Sequence, residues 1–92
     1  MSKIALITGA NGGIGSSITN ALVEAGYRVI ATYYPNGEAE AKEWLEGHDY
    51  SEEQVRLYPL DVTDTAHCEE SLATLLQEEG NIDVLVNNAG IT

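Results

Sequence analysis

The sequence predicts an α/β domain built on a doubly wound parallel sheet, and three features of its 92 residues point there. Short apolar runs alternate with longer stretches whose apolar residues recur at helical spacing, in the order βαβαβαβ. The short runs lack the in-and-out alternation of a half-exposed sheet, as strands covered on both faces do. Glycine, proline and asparagine punctuate the segments and leave brief connections, which join consecutive parallel strands by right-handed crossovers.

Lys3 to Thr8 is the first strand, an apolar run without alternation. Gly13 to Ala25 follows as a helix with Ile14, Ile18, Ala21, Leu22 and Ala25 along one stripe, stopped by Gly26. Tyr27 to Thr32 is β-branched and apolar and forms the second strand, ended by the turn chemistry of Pro35-Asn36-Gly37. Glu38 to Glu46 makes a short helix with Ala41, Trp44 and Leu45 on one side, before Gly47. Gln54 to Leu60 is the third strand. Thr63 to Glu79 is a helix with Cys68, Leu72, Leu75 and Leu76 on one face and Gly80 at its end. Ile82 to Val86 is the fourth strand. In a Rossmann-like sheet of order 3-2-1-4-5-6 this chain supplies strands one to four. Val84-Leu85-Val86 then reads as a central strand with no later partner, so the expectation is a truncated sheet, one partial Rossmann-like domain over residues 1–92.

Composition narrows the partners. Fifteen acidic residues stand against four basic ones, a formal charge of -11, while 43% of residues are hydrophobic. That excess disfavours nucleic acid and anionic membrane surfaces, which attract basic patches. It leaves phosphate-bearing ligands open, because backbone amides bind phosphate locally whatever the net charge. The apolar stretches fall far short of the roughly 20 residues of a spanning helix, and the start of the chain does not read as a secretory signal. The expected compartment is the cytoplasm. Cys68 is the only cysteine, which removes both an internal disulfide and a multi-thiolate zinc site. His48 and His67 lack partners at metal-ligand spacing and read as surface or helix-end residues; Trp44 reads as the anchor of a short outer helix, with a contact near an adenosine left open.

The chemistry lies where strands give way to loops. Thr8-Gly9-Ala10-Asn11-Gly12-Gly13-Ile14-Gly15 is a glycine cluster between a buried strand and a helix. Glycines allow positive φ and close backbone approach, and the amides of a helix N-terminus then face an anion such as a pyrophosphate. Gly9 suits the tight turn, Gly13 the approach of the phosphates, and Gly15 the close packing of helix on strand; an ordinary strand-to-helix turn is the plainer reading. No Lys-Ser or Lys-Thr follows the glycines, so a P-loop is excluded, and no Gly-x-Ser-x-Gly exists to form a nucleophile elbow. Asp61-Val62 follows strand three, where the carboxylate can accept from an adenine amino group or start the next helix. Asn87-Asn88-Ala89-Gly90 follows strand four, either as a site for a ribose or as a plain turn.

These three motifs, in this order and spacing, resemble the cofactor half of a classical short-chain dehydrogenase/reductase. Within that family the chain is most similar to the bacterial acetoacetyl-CoA reductase branch, through Ala31 to Asn36, Trp44-Leu45-Glu46, Gln54 to Leu57 and Leu60 to Asp64. The resemblance spans all 92 residues but only about the first third of the family's chain, and it implies an amino-terminal part of a longer single-domain enzyme. It also implies that Gly9, Asn11, Gly12, Gly13, Ile14 and Gly15 hold the pyrophosphate, Asp61 and Val62 the adenine, and Asn88, Ala89 and Gly90 the ribose region. The family's catalytic Ser and Tyr-x-x-x-Lys would lie beyond Thr92. Tyr27, Tyr33, Tyr34, Tyr50 and Tyr58 are followed four positions on by Ala31, Gly37, Glu38, Gln54 and Val62, so none has the lysine. The 92 residues by themselves are therefore expected to be inactive.

The cofactor follows from what stands after strand two. An acidic residue roughly 20 positions past the glycines would hold the ribose 2′-OH of NAD. Tyr33, Tyr34, Pro35 and Asn36 stand there instead, which tilts the expectation to NADP(H), with Asn36 and the turn amides as the phosphate contact. The resemblance adds a 3-oxoacyl-CoA substrate, acetoacetyl-CoA reduced to (R)-3-hydroxybutyryl-CoA, and a homotetramer for the full-length enzyme. The rivals are a 3-oxoacyl-[acyl-carrier-protein] reductase, another short-chain alcohol dehydrogenase, and a stand-alone nucleotide-binding module without catalysis.

Overall fold

A computed structural model of the chain describes residues 3–9, 13–61 and 63–87. Four strands, β1 (Ile4–Thr8), β2 (Arg28–Tyr33), β3 (Val55–Pro59) and β4 (Val84–Asn87), alternate with three helices, α1 (Gly13–Glu24), α2 (Glu38–His48) and α3 (Thr65–Glu79). All pairings are parallel and the order is β3-β2-β1-β4, as right-handed crossovers from the sequence require. No helix is long and apolar enough to cross a membrane among the described residues.

Parallel pairing needs every strand in register. Ile4 sits opposite Arg28, Thr8 opposite both Thr32 and Asn87, and Tyr33 opposite Pro59. Successive side chains then point to opposite faces. Ile7, Val29, Ala31 and Val55 face α1 and α2, packed with Ile18, Leu22, Val23, Trp44, Leu45 and Val86. Ile4, Leu6 and Ile30 face α3, where Leu75 is fully buried against them with Leu72 and Ile82 alongside. All five residues of β1 are buried, which explains its unbroken apolar run.

The helices depart from their expected faces in readable ways. Ala21 and Ala25 are exposed, while Gly15 and Thr19 are buried beside Ile18, Leu22 and Val23. Thr19 can be buried because its hydroxyl donates to the Gly15 carbonyl at 2.8 Å. On α3 the buried residues are Ser71 and Leu75, and Leu76 is 44% exposed. Positions 68, 71, 72 and 75 share one helix face, and 76 has rotated off it. β2 extends one residue further than expected, through Tyr33. The helix expected to stop before Gly47 runs on to His48 and closes at Asp49 in the left-handed conformation, φ 55. Asp tolerates that conformation, so a glycine was not needed there. α3 starts at Thr65 rather than Thr63, with the Asp64 carboxylate accepting from the His67 amide at 3.1 Å as its cap.

One ionic cluster ties the amino ends of the strands to the end of α3. Arg28 donates to both Glu79 oxygens, at 2.8 and 3.2 Å, and to the carbonyls of Glu52 and Glu53. Arg56 reaches the same Glu79 at 2.6 Å and Glu78 at 2.5 Å. Glu79, with only 9% of its side chain exposed, thereby holds β2 and β3 together from below.

Candidate functional site

The parallel register brings every strand's carboxyl end to one edge. Thr8, Thr32 and Asn87 lie in one row across β2, β1 and β4, and Gly9, Tyr34 and Leu60 continue the chain from this edge. Thr8 donates to the Val86 carbonyl at 3.5 Å and Thr32 to the Ile7 carbonyl at 3.0 Å, which locks this edge. Ligands of open α/β sheets bind at this edge, where the strand order reverses on either side of the first strand.

Gly9 adopts φ 67, the left-handed turn that lets the chain leave β1 sharply. α1 then opens at Gly13, and its first turn carries no acidic residue, so the positive pole of the helix meets no carboxylate of that turn. Gly15 is buried in the first turn. These features fit the phosphates of a dinucleotide. Gly13 and Ile14 lie in α1, while Asn11, Gly12, Val62, Asn88, Ala89 and Gly90 fall outside the described residues.

Asp61 sits in the loop after β3. Its Oδ1 accepts from both the Thr63 amide, at 2.9 Å, and the Thr63 hydroxyl, at 2.5 Å. The hydroxyl bond first, and the amide bond after it, hold this exposed carboxyl below its usual range. It remains an acceptor under any mild condition. Asp61 does not cap α3, since Asp64 does; Cys68 Sγ instead donates to the Asp61 carbonyl at 3.0 Å and fixes the loop against the helix.

Tyr33 is 8% exposed and packs on the face shared with α1 and α2. Burial, and then the Glu38 carboxylate, raise its phenol above the ordinary value, and Lys42 opposes the rise. Glu38 and Lys42 therefore lie beside the end of β2, where they form an ion pair at 3.4 Å. Asn36 is exposed in the 3-10 turn Pro35–Gly37 that leads into α2. The expected phosphate contact falls on Asn36; Lys42 is the one lysine or arginine between Arg28 and Arg56.

Trp44 anchors α2 as expected, and does so at the site's edge. Its Nε1 donates to Ser16 Oγ in the first turn of α1 at 2.7 Å. Tyr50 stacks on His48 with ring centroids 5.5 Å apart and donates to Asn20 Oδ1 at 3.3 Å, so α1 is gripped at two successive turns. His48 accordingly stands at the helix end, bonded through Nδ1 to the Trp44 carbonyl at 2.8 Å.

A parallel sheet in this order, with a glycine turn and a helix N-terminus at its carboxyl edge, defines a dinucleotide-binding α/β domain. The family model of short chain dehydrogenases matches residues 3–92, and the chain belongs to that family. It is 44% identical to the acetoacetyl-CoA reductase of Acinetobacter sp. (strain RA3849), over 98% of this chain and 36% of that protein. It is 47% identical to the 3-oxoacyl-[acyl-carrier-protein] reductase of Vibrio harveyi, over 98% of this chain and 35% of that one. The solved structure of ElxO with NADP bound superposes with a TM-score of 0.78 at 34% identity, covering 96% of this chain and 35% of ElxO. The chain thus spans about 36% of the length of the first curated relatives it matches.

Proposed function

We propose that these residues are the dinucleotide-binding part of an NADP(H)-dependent reductase of 3-oxoacyl thioesters, with acetoacetyl-CoA as the first substrate to test. The observation that carries the reading is the register that sets Gly9, the Tyr33 to Asn36 segment, Asp61 and Asn87 along one carboxyl edge beside the N-terminus of α1. Support for NADP(H) comes from the NADP held by ElxO and from the lack of a carboxylate at Tyr33 and Tyr34. Support for the thioester comes from the acetoacetyl-CoA reductases among the relatives.

When bound, the nicotinamide supplies the hydride. The chain's own residues bind and orient. The α1 amides neutralise the pyrophosphate, Gly9 makes the turn that exposes them, and Asp61 offers an acceptor to the adenine amino group. No tyrosine here has a lysine four residues on to lower its pKa, so the acid that protonates the developing alkoxide comes from outside these residues.

The test is steady-state reduction by the full-length protein of acetoacetyl-CoA and of an acetoacetyl-acyl-carrier protein, each with NADPH and NADH. Higher kcat/KM for the CoA ester with NADPH supports the reading. Higher kcat/KM for the carrier-protein substrate favours the second reading, raised by the Vibrio harveyi relative, and no turnover of either overturns both.

A further inference from the structure

The chain has four cations, and their placement decides which of them meets a ligand at the carboxyl edge. Arg28 opens β2, and Arg56 is the second residue of β3; Arg28 is committed to Glu79, and Arg56 to Glu78 and Glu79, at the amino ends of the strands. Lys3 precedes β1, at that same lower end. Lys42 alone stands near the other end, its charge felt by Tyr33, the last residue of β2. α2 leaves the end of β2 through the turn Pro35–Gly37, and its Trp44 bonds Ser16 in the first turn of α1 at 2.7 Å, so its first two turns lie beside the carboxyl edge. Helical side chains lean towards the helix N-terminus, which carries the Lys42 ammonium upward to Glu38 in the first turn. Ala41 beside it is fully buried and fixes the rotation of the helix, while Lys42 and Glu38 are exposed, with 65% and 60% of their side chains accessible.

We propose that Lys42, exchanging Glu38 for the 2′-phosphate of the dinucleotide, is the residue that selects NADP(H) over NAD(H). This assignment rests on the dinucleotide reading above and names the side chain that reads its distinguishing group. Without it the edge repels a 2′-phosphate, since Glu38 and Glu40 are the charged residues of the first turn of α2. The pair with Glu38 is weak enough to break, because an exposed lysine-carboxylate pair is screened and entropically costly. A phosphate dianion offers the ammonium twice the charge of a carboxylate. Tyr33, buried at the end of β2, feels the charge of both groups, while they themselves stay exposed.

The experiment uses the full-length protein and isothermal titration with four ligands: NADPH, NADH, 2′,5′-ADP and 5′-AMP. The two mononucleotides differ only in the 2′-phosphate and read the adenosine end without turnover. Lys42→Met is expected to weaken NADPH and 2′,5′-ADP about tenfold, while NADH and 5′-AMP stay within about twofold. Lys42→Arg is expected to keep the preference. Glu38→Gln is expected to tighten 2′,5′-ADP, and added to Lys42→Met it should restore part of the loss by removing the remaining repulsion. Raising salt should narrow the difference between wild type and Lys42→Met. Equal weakening of all four ligands, or none, overturns the assignment while leaving dinucleotide binding intact. A wild-type protein that binds neither NADPH nor NADH overturns the dinucleotide reading, and this assignment with it.

Discussion

Gly9 and Gly13 stand a few residues apart in different backbone settings, and substitution separates them. Gly9 is held at φ 67, where a Cβ costs about 1–2 kcal/mol, so Gly9→Ala should lower the melting temperature before any ligand is added. Gly13 opens α1, where a side chain is tolerated by the backbone. Gly13→Val in the full-length protein should therefore leave thermal stability nearly unchanged and weaken dinucleotide binding about tenfold or more, because a branched side chain fills the space between phosphate and amides. Calorimetric titration beside a melting curve checks both. An unchanged dissociation constant for Gly13→Val would reduce Gly13 to a turn residue.

At the scale of elements, strands were more legible than helix faces. The four apolar runs and their crossovers fixed the sheet order, because a strand buried on both faces has few alternatives in sequence. Alanine blurred α1: Ala21 and Ala25 fit an apolar stripe, yet the buried stripe runs through Gly15 and Thr19, with the threonine hydroxyl satisfied inside its own helix. Ser71 on α3 hides for a similar reason, sharing its hydroxyl with His67 Nε2 at 3.4 Å. The Trp44 to Ser16 bond and the Glu79 latch join residues 28 and 51 positions apart, and no local pattern announces them. Leu75 is the hydrophobic pin of α3 and Glu79 its ionic one. Leu75→Ala should cost about 2–5 kcal/mol, as a fully buried leucine does in a well-packed core.

Glu79 adds a pH dependence whose sign follows from its partners. The Arg28 hydrogen bond, opposed by burial and reinforced by Arg56, holds its carboxyl below the reference value of 4.5. A group whose folded pKa is depressed contributes stability above its unfolded pKa and loses that contribution as pH falls through the folded value. Glu79→Gln should therefore cost about 1–3 kcal/mol near neutral pH, and the gap between variant and wild type should close in acid. Denaturant melts across that range test it, and a gap that persists at the acid end would show that the latch acts through packing alone.

For the molecule as a whole, long-range repulsion and short-range attraction oppose each other, and salt decides between them. A charge of -11 on 92 residues keeps copies apart and opposes the compact fold, and α2 contributes Glu40, Glu43 and Glu46 to that repulsion. Against this stands one exposed apolar strip. Leu85 on β4 is 64% exposed although its neighbour in register, Leu6, is completely buried, and Leu76 on α3 is 44% exposed. Among the described residues β4 also presents an outer edge, being last in the sheet order. Repulsion acts over about 10 Å at 0.1 M salt and about 3 Å at 1 M. Apolar burial, worth about 1.5–3 kcal/mol for a fully covered leucine, acts at contact and is not screened. Added salt should then raise the melting temperature of the 92-residue chain and, in the same samples, drive it to associate. Sedimentation velocity and circular dichroism at low and high salt separate the two effects. Leu85→Lys should abolish the association and keep the rise in melting temperature, because it blocks the strip and leaves the acidic surface of α2 as it was. Association that weakens as salt rises would mean that opposite charges, not Leu85 and the strand edge, hold the copies together.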